Sequence, residues 1–310
     1  MLSRIAESLY WIGRYLERAE DTSRLLDVHQ QLLIEDPLVD PEAQVDGLLA
    51  VMGVEPGPDT PRTFPTVLRL LAYDEASPCS IVASVDGARE AARRSRETVS
   101  TDVWEAVNTF YLAVREGVLE QLRPSEAFKM VRERVAVISG ITDGTMSHDE
   151  GWLFLILGRA LERADMTARM ISSAAFTTSS PYAWPTTLRA CGAHHAFTRY
   201  SQGSVSDRSA AEFLLLDRLF PRSLVHALSE AEQALADLDA GERRAGVSGD
   251  ASRALGRARA ALEFAPLDDV LADLPTAMQR VETACAVAGQ AISARYFEGA
   301  AAMQWHGGAW

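Results

Sequence analysis

The sequence predicts an all-α fold, a helical bundle built from two pseudo-symmetric repeats of about 145 residues, and three observations predict it. Apolar residues recur at helical spacing along nearly the whole chain, strand-like alternation and β-branched runs are absent, and a twelve-residue pattern occurs twice. Residues 13–24 read Gly-Arg-Tyr-Leu-Glu-Arg-Ala-Glu-Asp-Thr-Ser-Arg and residues 158–169 read Gly-Arg-Ala-Leu-Glu-Arg-Ala-Asp-Met-Thr-Ala-Arg. Both fit G-R-x-L-E-R-A-(E/D)-x-T-x-R at an offset of 145 residues. A match of that length points to a duplicated unit.

The first helix carries the stripe Ile5, Leu9, Ile12, Leu16, Ala19, Ser23 and Leu26, with Trp11, Leu25 and Leu32 adding a second apolar face. Pro37 and Pro41 mark its end, so residues 2–34 form a rod of roughly 50 Å at ~1.5 Å per residue. The second copy repeats the stripe with Phe154, Leu157, Leu161, Ala164, Ala168 and Ile171. Ser147 and Glu150 read as a capping box that starts this helix near His148, and the Thr/Ser/Pro run at 177–185 ends it. A second landmark recurs: Asp74 through Pro78-Cys79-Ser80-Ile81-Val82 resembles Asp217 through Pro221-Arg222-Ser223-Leu224-Val225, at an offset of 143. Proline followed by serine suits a helix start. Further helices are expected at 101–121, 125–143, 186–201, 208–216, 222–240, 250–264 and 268–298, with loops at 54–62, 177–185 and 241–250. The expected organisation is a first half at 1–146 packed with a second at 147–299 as one domain, and a loose tail at 300–310.

The chain has 310 residues and a net charge of −13, which argues against nucleic-acid binding because phosphate recognition needs a basic surface. Cys79, Cys191 and Cys285 are widely spaced and odd in number, so free thiols in a reducing, cytoplasmic setting fit better than a disulfide framework. Neither a signal peptide nor a span of ~20 apolar residues is evident, so no membrane association is expected.

On a helical wheel Gly13, Glu17, Glu20 and Arg24 form a row beside the core stripe, and Gly158, Glu162, Asp165 and Arg169 repeat it. Glycine inside a long helix costs about 0.5–1 kcal/mol relative to alanine, so its presence twice implies close approach of another backbone. Arg14, Arg18, Arg159 and Arg163 fall towards the other side of their helices. Three readings of this charge pattern stand. It is a buried salt-bridge network that fixes how the halves dock. It is a ligand site in which Arg24 and Arg169 clamp a phosphate or carboxylate while Glu17 and Glu162 orient them or hold an amine. It is a metal site with Glu17/Glu20 and Glu162/Asp165 as four carboxylates, although arginines crowd every one and histidine is missing from the usual position. No cofactor is indicated. His194 and His195 read as surface or core histidines, Cys191 as packing, and Trp104, Tyr111, Trp152 and Phe154 as core. The basic cluster Arg89, Arg93, Arg94 and Arg96 reads as a solvated face or a docking face for an acidic partner.

The opening M-L-S-R-I-A-E-S-L-Y-W-I-G-R-Y-L-E-R-A-E-D-T resembles the alpha-E domain family, helical proteins named for a Glu-Arg motif. The likeness continues through Trp104-Glu-Ala-Val-Asn108, Asp143-Gly-Thr-Met146, Glu150-Gly-Trp152, the second motif copy, Phe213-Leu-Leu-Leu-Asp217 and Pro221-Arg222-Ser223. Where relatives tend to read N-P-x-S-I and A-R-E-N-A-R, this chain has Ser77-Pro78-Cys79-Ser80-Ile81 and Ala88-Arg89-Glu90-Ala91-Ala92-Arg93. The Glu-Arg motif maps onto Glu17-Arg18 and Glu162-Arg163. The resemblance implies a partner more than a reaction. It points to a circularly permuted ATP-grasp protein, with a transglutaminase-like peptidase in the same bacterial peptide-synthesis or peptide-modification system. It carries no established catalytic residue. The expected function is therefore that of a non-catalytic accessory protein of an ATP-grasp ligase, with an enzyme or small-ligand binder at the Glu/Arg seam as the alternative.

Overall fold

The computed structural model describes residues 1–35, 40–176, 183–201, 206–239 and 249–297. Among these the fold is all-α, with no strand. The first helix, α1 (Ser3–Glu35), is continuous and buries the whole expected stripe from Ile5 to Leu26. α2 (Pro41–Val51) follows, capped by the Asp40 side chain, which accepts from Glu42 N at 3.0 Å. Pro41 therefore starts a helix as well as ending the preceding segment, since its missing N–H costs nothing in a first turn. α3 (Phe64–Leu68) runs into a π-helical turn at Arg69–Tyr73. α4 (Ile81–Arg94) begins at Ser80, whose hydroxyl accepts from Ala83 N at 3.0 Å.

The helix expected over 101–121 is two: α5 (Thr101–Arg115) and α6 (Val118–Gln121), separated by Gly117 at φ 75°. That left-handed residue breaks the hydrogen-bond ladder, and glycine adopts it without steric cost. α7 (Pro124–Thr145) has its proline in the first turn. α8 (Glu150–Phe176) carries the second motif. Its start is capped by Asp149 and not by the expected Ser147 box: Asp149 Oδ1 accepts from Gly151 N at 2.9 Å. The segment expected as one helix at 186–201 is α9 (Ala183–Ala190) and α10 (His194–Tyr200), broken at Gly192 with φ 64°. α9 begins inside the expected loop 177–185, the rest of which lies outside the described residues.

α11 (Asp207–Leu216) opens on a capping box between Ser206 and Ser209, and α12 (Leu224–Leu238) on Ser223, whose hydroxyl accepts from His226 N at 3.2 Å. α13 (Asp250–Glu263) and α14 (Leu267–Ala272) follow, then α15 (Leu274–Ile292) with a π-helical turn at Ser293–Phe297. The helix expected over 268–298 is thus interrupted at Asp273, where backbone φ −139° departs from helix and Pro275 follows. The expected tail at 300–310 and most of the loop at 241–250 lie outside the described residues.

α1 and α8 pack on each other at the centre. α4 and α7 flank α1, and α5 joins those two; α12 and α15 flank α8, and α13 joins them. The short helices cross over, α9 lying on α1 and α2 on α8. Among the described residues no helix is long and apolar enough to cross a membrane.

Candidate functional site: a charged crossing of two helices

The centre of the fold is set by two glycines. An added Cβ on Gly13 would overlap the Leu155 carbonyl oxygen and stand 2.8 Å from Arg159 N. One on Gly158 would overlap the Tyr10 carbonyl oxygen and stand 3.2 Å from Arg14 N. α1 and α8 therefore touch backbone to backbone, and each glycine meets the residues that precede and follow its counterpart. Only a residue without a side chain permits that approach.

One turn further along, each helix sends its motif glutamate to the other helix's arginine. Arg18 holds Glu162 with both prongs, Nε–Oε1 2.6 Å and Nη2–Oε2 3.0 Å, and Arg14 Nε also donates to Glu162. Reciprocally, Arg163 holds Glu17 through Nε–Oε1 at 2.7 Å and Nη2–Oε2 at 2.8 Å. Arg222, from the segment before α12, adds a contact to Glu17 at 2.9 Å. Such bidentate pairs are short, directional and about twice as strong as neutral hydrogen bonds. Glu17 and Glu162 are each 2% exposed. Burial on its own would raise their pKa, but the facing arginines outweigh it and hold both at about 2. Both glutamates are ionised throughout the ordinary pH range.

The outer ends of the two rows turn back on their own helices. Arg24 bonds Glu20 at 2.6 Å and Arg169 bonds Asp165 at 2.9 Å, both four residues apart. Arg169 Nη1 reaches the Val51 carbonyl at 3.4 Å, at the end of α2, and Arg24 lies against Gly192 just beyond α9. A cation at a helix C-terminus complements the macrodipole. The expected clamp by Arg24 and Arg169 is thus already engaged by carboxylates of the chain itself.

The helical wheel misplaced three arginines. Arg14, Arg18 and Arg163 were expected on the far sides of their helices, yet all three reach into the crossing, because a guanidinium on a long flexible stem spans most of a helix circumference. Arg159 does stay outside, near Glu230 at 3.5 Å and Asp143 at 4.0 Å. Two participants went unrecognised in the sequence, Asp21 and Arg222. Asp21 is fully buried, accepts from Arg222 Nη1 and leaves Oδ2 without a partner. Arg222 also contacts Glu20 at 2.9 Å, so three carboxylates share one guanidinium. Burial, only partly offset by Arg222 and reinforced by Glu17 and Glu20, pushes the Asp21 carboxyl up to about 7. One signal was available: the second motif copy has Met166 where the first has Asp21, and the first P-x-S landmark has Cys79 where the second has Arg222. The extra acid and the extra base are unmatched in the other copy, which marks them as partners.

Among the described residues no group of three or more histidine, cysteine, aspartate or glutamate side chains is arranged to hold a metal ion. The nearby cleft lined by Leu25, His29, Gln44, Met170 and Thr186 has none of the motif's charged side chains in its wall. His194 and His195 are exposed. Cys79, Cys191 and Cys285 are buried, and burial pushes all three thiols up, Cys191 to about 12. Iodoacetamide is therefore expected to leave all three unlabelled in native protein and to label all three in denaturant, as mass spectrometry would show. Rapid native labelling of Cys191 would contradict the buried assignment.

A central helix pair locked by reciprocal Glu-Arg pairs agrees with a family whose description is "a predicted alpha-helical domain with a conserved ER motif", and the Alpha-E family model matches residues 1–297. The chain belongs to the Alpha-E family. Similar proteins include an uncharacterized protein of Mycobacterium bovis and uncharacterized proteins from two strains of Mycobacterium tuberculosis. Each is 29% identical over 262 residues, a match that covers 76% of this chain and 30% of the relative. The chain thus spans about a third of the length of these relatives. No solved structure matches.

Proposed function

We propose that this chain is a non-catalytic accessory protein, a helical body of two pseudo-symmetric repeats (1–146 and 147–299) that docks with an ATP-grasp ligase in a bacterial peptide-synthesis or peptide-modification system. The observation that carries the reading is the closure of the motif: Glu17 and Glu162, the two best candidates for acid–base chemistry, are each sealed from solvent and held by two arginines. A general acid or base must reach the proton it moves and titrate near the working pH; these glutamates do neither. What supports the repeat reading is reciprocity: Gly13 with Gly158, Glu17–Arg163 with Arg18–Glu162, and Ser80 with Ser223 as helix caps. In this view the Glu-Arg motif is the lock between repeats, and the partner is met on the outer helices. The ATP-grasp partner, and a transglutaminase-like peptidase beside it, come from the alpha-E resemblance.

The test is co-purification of this chain with a co-expressed circularly permuted ATP-grasp protein from the same bacterium, in the presence and absence of ATP. A stable complex is expected; no association under any nucleotide condition would sink the accessory role.

A further inference from the structure

We infer that the face formed by α4 and the start of α5 is the protein's docking surface and that it takes a short carboxylate-rich segment of a partner protein. The inference rests on the accessory reading and names the surface that reading leaves open. The Arg89 guanidinium lies over the Tyr111 ring at 4.9 Å and the Trp104 ring at 5.7 Å, and Arg96 covers the same indole at 5.5 Å. The half-buried Trp104 thus has two guanidinium groups within about 6 Å of its ring, and Arg93 and Arg94 on α4 are 56% and 38% exposed. Glu90 takes up Arg93 and Arg94, at 2.7 and 3.1 Å, while Arg96 is exposed and carries no ion pair among the described residues. A guanidinium held over an aromatic ring keeps N–H donors free at its edge, and that fork can receive a carboxylate bidentately. Tryptophan, tyrosine and arginine together are also the residues that dominate binding hot spots.

The fold does not require this arrangement. Ser80 and Ser223 start α4 and α12 alike, which sets Glu232 at the position of Arg89. There the bond to the next helix is an ordinary ion pair, Glu232 with Arg259 at 2.6 Å. One half thus joins these helices by a close ion pair, whereas the other sets Arg89, which donates to Asn108 Oδ1 at 3.5 Å and lies 3.9 Å from Glu90, over a tryptophan and a tyrosine. The occupant follows from charge. Cations call for an anionic partner, yet exposed Asp102 and Glu105 fringe the face and the chain as a whole carries −13. An extended polyanion such as nucleic acid would meet repulsion on every side. A short acidic peptide segment fits between the fringes.

The probe is a fluorescein-labelled oligoglutamate peptide titrated with the full chain and followed by anisotropy at low salt. A labelled single-stranded oligonucleotide is run in parallel, and solution mass is measured by light scattering. Saturable peptide binding is expected. It should weaken about tenfold in Arg96→Ala and in Arg89→Gln, and also weaken in Trp104→Phe. Arg257→Ala, an exposed arginine on α13, should leave it unchanged. Melting of Arg96→Ala should match the parent, because its side chain is at the surface. Absence of saturable binding, or an equal loss in Arg257→Ala, overturns the inference. So does tighter binding of the oligonucleotide at the same arginines, or a dimer that Arg96→Ala dissociates. None of these results bears on co-purification with the ATP-grasp protein, so the two proposals fail separately.

Discussion

Gly13→Ala is expected to destabilise the protein by at least ~2 kcal/mol, although alanine is the better helix former by about 0.5–1 kcal/mol. The new methyl group falls on the Leu155 carbonyl oxygen and within 2.8 Å of Arg159 N, both backbone atoms of a packed helix. Relief requires α1 and α8 to move apart, and that lengthens the bidentate pairs one turn away. Gly158→Ala should behave alike, since its Cβ meets Tyr10 and Arg14 backbone in the same manner. Gly140→Ala in α7 supplies the contrast: it is exposed, with nothing within 4 Å of the new methyl. There the lost unfolded-chain entropy should stabilise by about 0.5–1 kcal/mol. Urea unfolding of the three variants reads all of this. A Gly13→Ala protein as stable as the parent would mean the helices do not touch as described.

Glu162→Gln is expected to cost ~3–5 kcal/mol, because Arg14 and Arg18 are buried with Glu162 and lose the carboxylate that neutralises them. Glu17→Gln should cost a similar amount and leave Arg163 and Arg222 underpaired. If Glu17→Gln instead kept full stability while removing an activity, the seam would be a ligand site and not a lock. The pH dependence carries the same information with a definite sign. Glu17 and Glu162 are held at about 2, below the ordinary 4.5 of the unfolded chain. Their stabilisation is present above pH 4.5 and is lost as pH falls towards 2. Asp21 runs the other way: held at about 7, against 3.8 when unfolded, it favours the fold at low pH and loses that contribution progressively as pH rises from 3.8 to 7. Stability should therefore peak at about pH 4.5, where the glutamate contribution is nearly complete and that of Asp21 has only begun to fall, and decline from there to about pH 7. Asp21→Asn should flatten the alkaline limb and leave the acid limb untouched.

Much of this architecture was legible in the residues. The 3-4 spacing of Ile5 to Leu26 and of Phe154 to Ile171 depends only on helix geometry, and both stripes are buried as expected. Gly13 and Gly158 announced a backbone contact because nothing else explains glycine twice at one place in long helices. Other features depend on information that a helical wheel does not hold. The directions of Arg18 and Arg163 follow from where the opposing glutamate sits, not from the angle of their Cα atoms. Asp21 and Arg222 are 201 positions apart, and only the fold brings them together. Pro41 both closes off the segment after α1 and begins α2, and its sequence position alone does not separate those roles. At Gly117 and Gly192 apolar periodicity continues while the helical backbone does not, so the pattern alone hides both breaks.

The central claim is that the two Glu-Arg ridges meet reciprocally where α1 crosses α8. A double-mutant cycle on Glu17 and Arg163, using Glu17→Gln, Arg163→Met and the combination, measures that contact directly by denaturant unfolding. The account predicts that removing both partners costs at least ~2 kcal/mol less than the sum of the single losses, because each single change strands the other charge. Additive losses, with coupling within about 0.3 kcal/mol of zero, would contradict it and separate the two ridges.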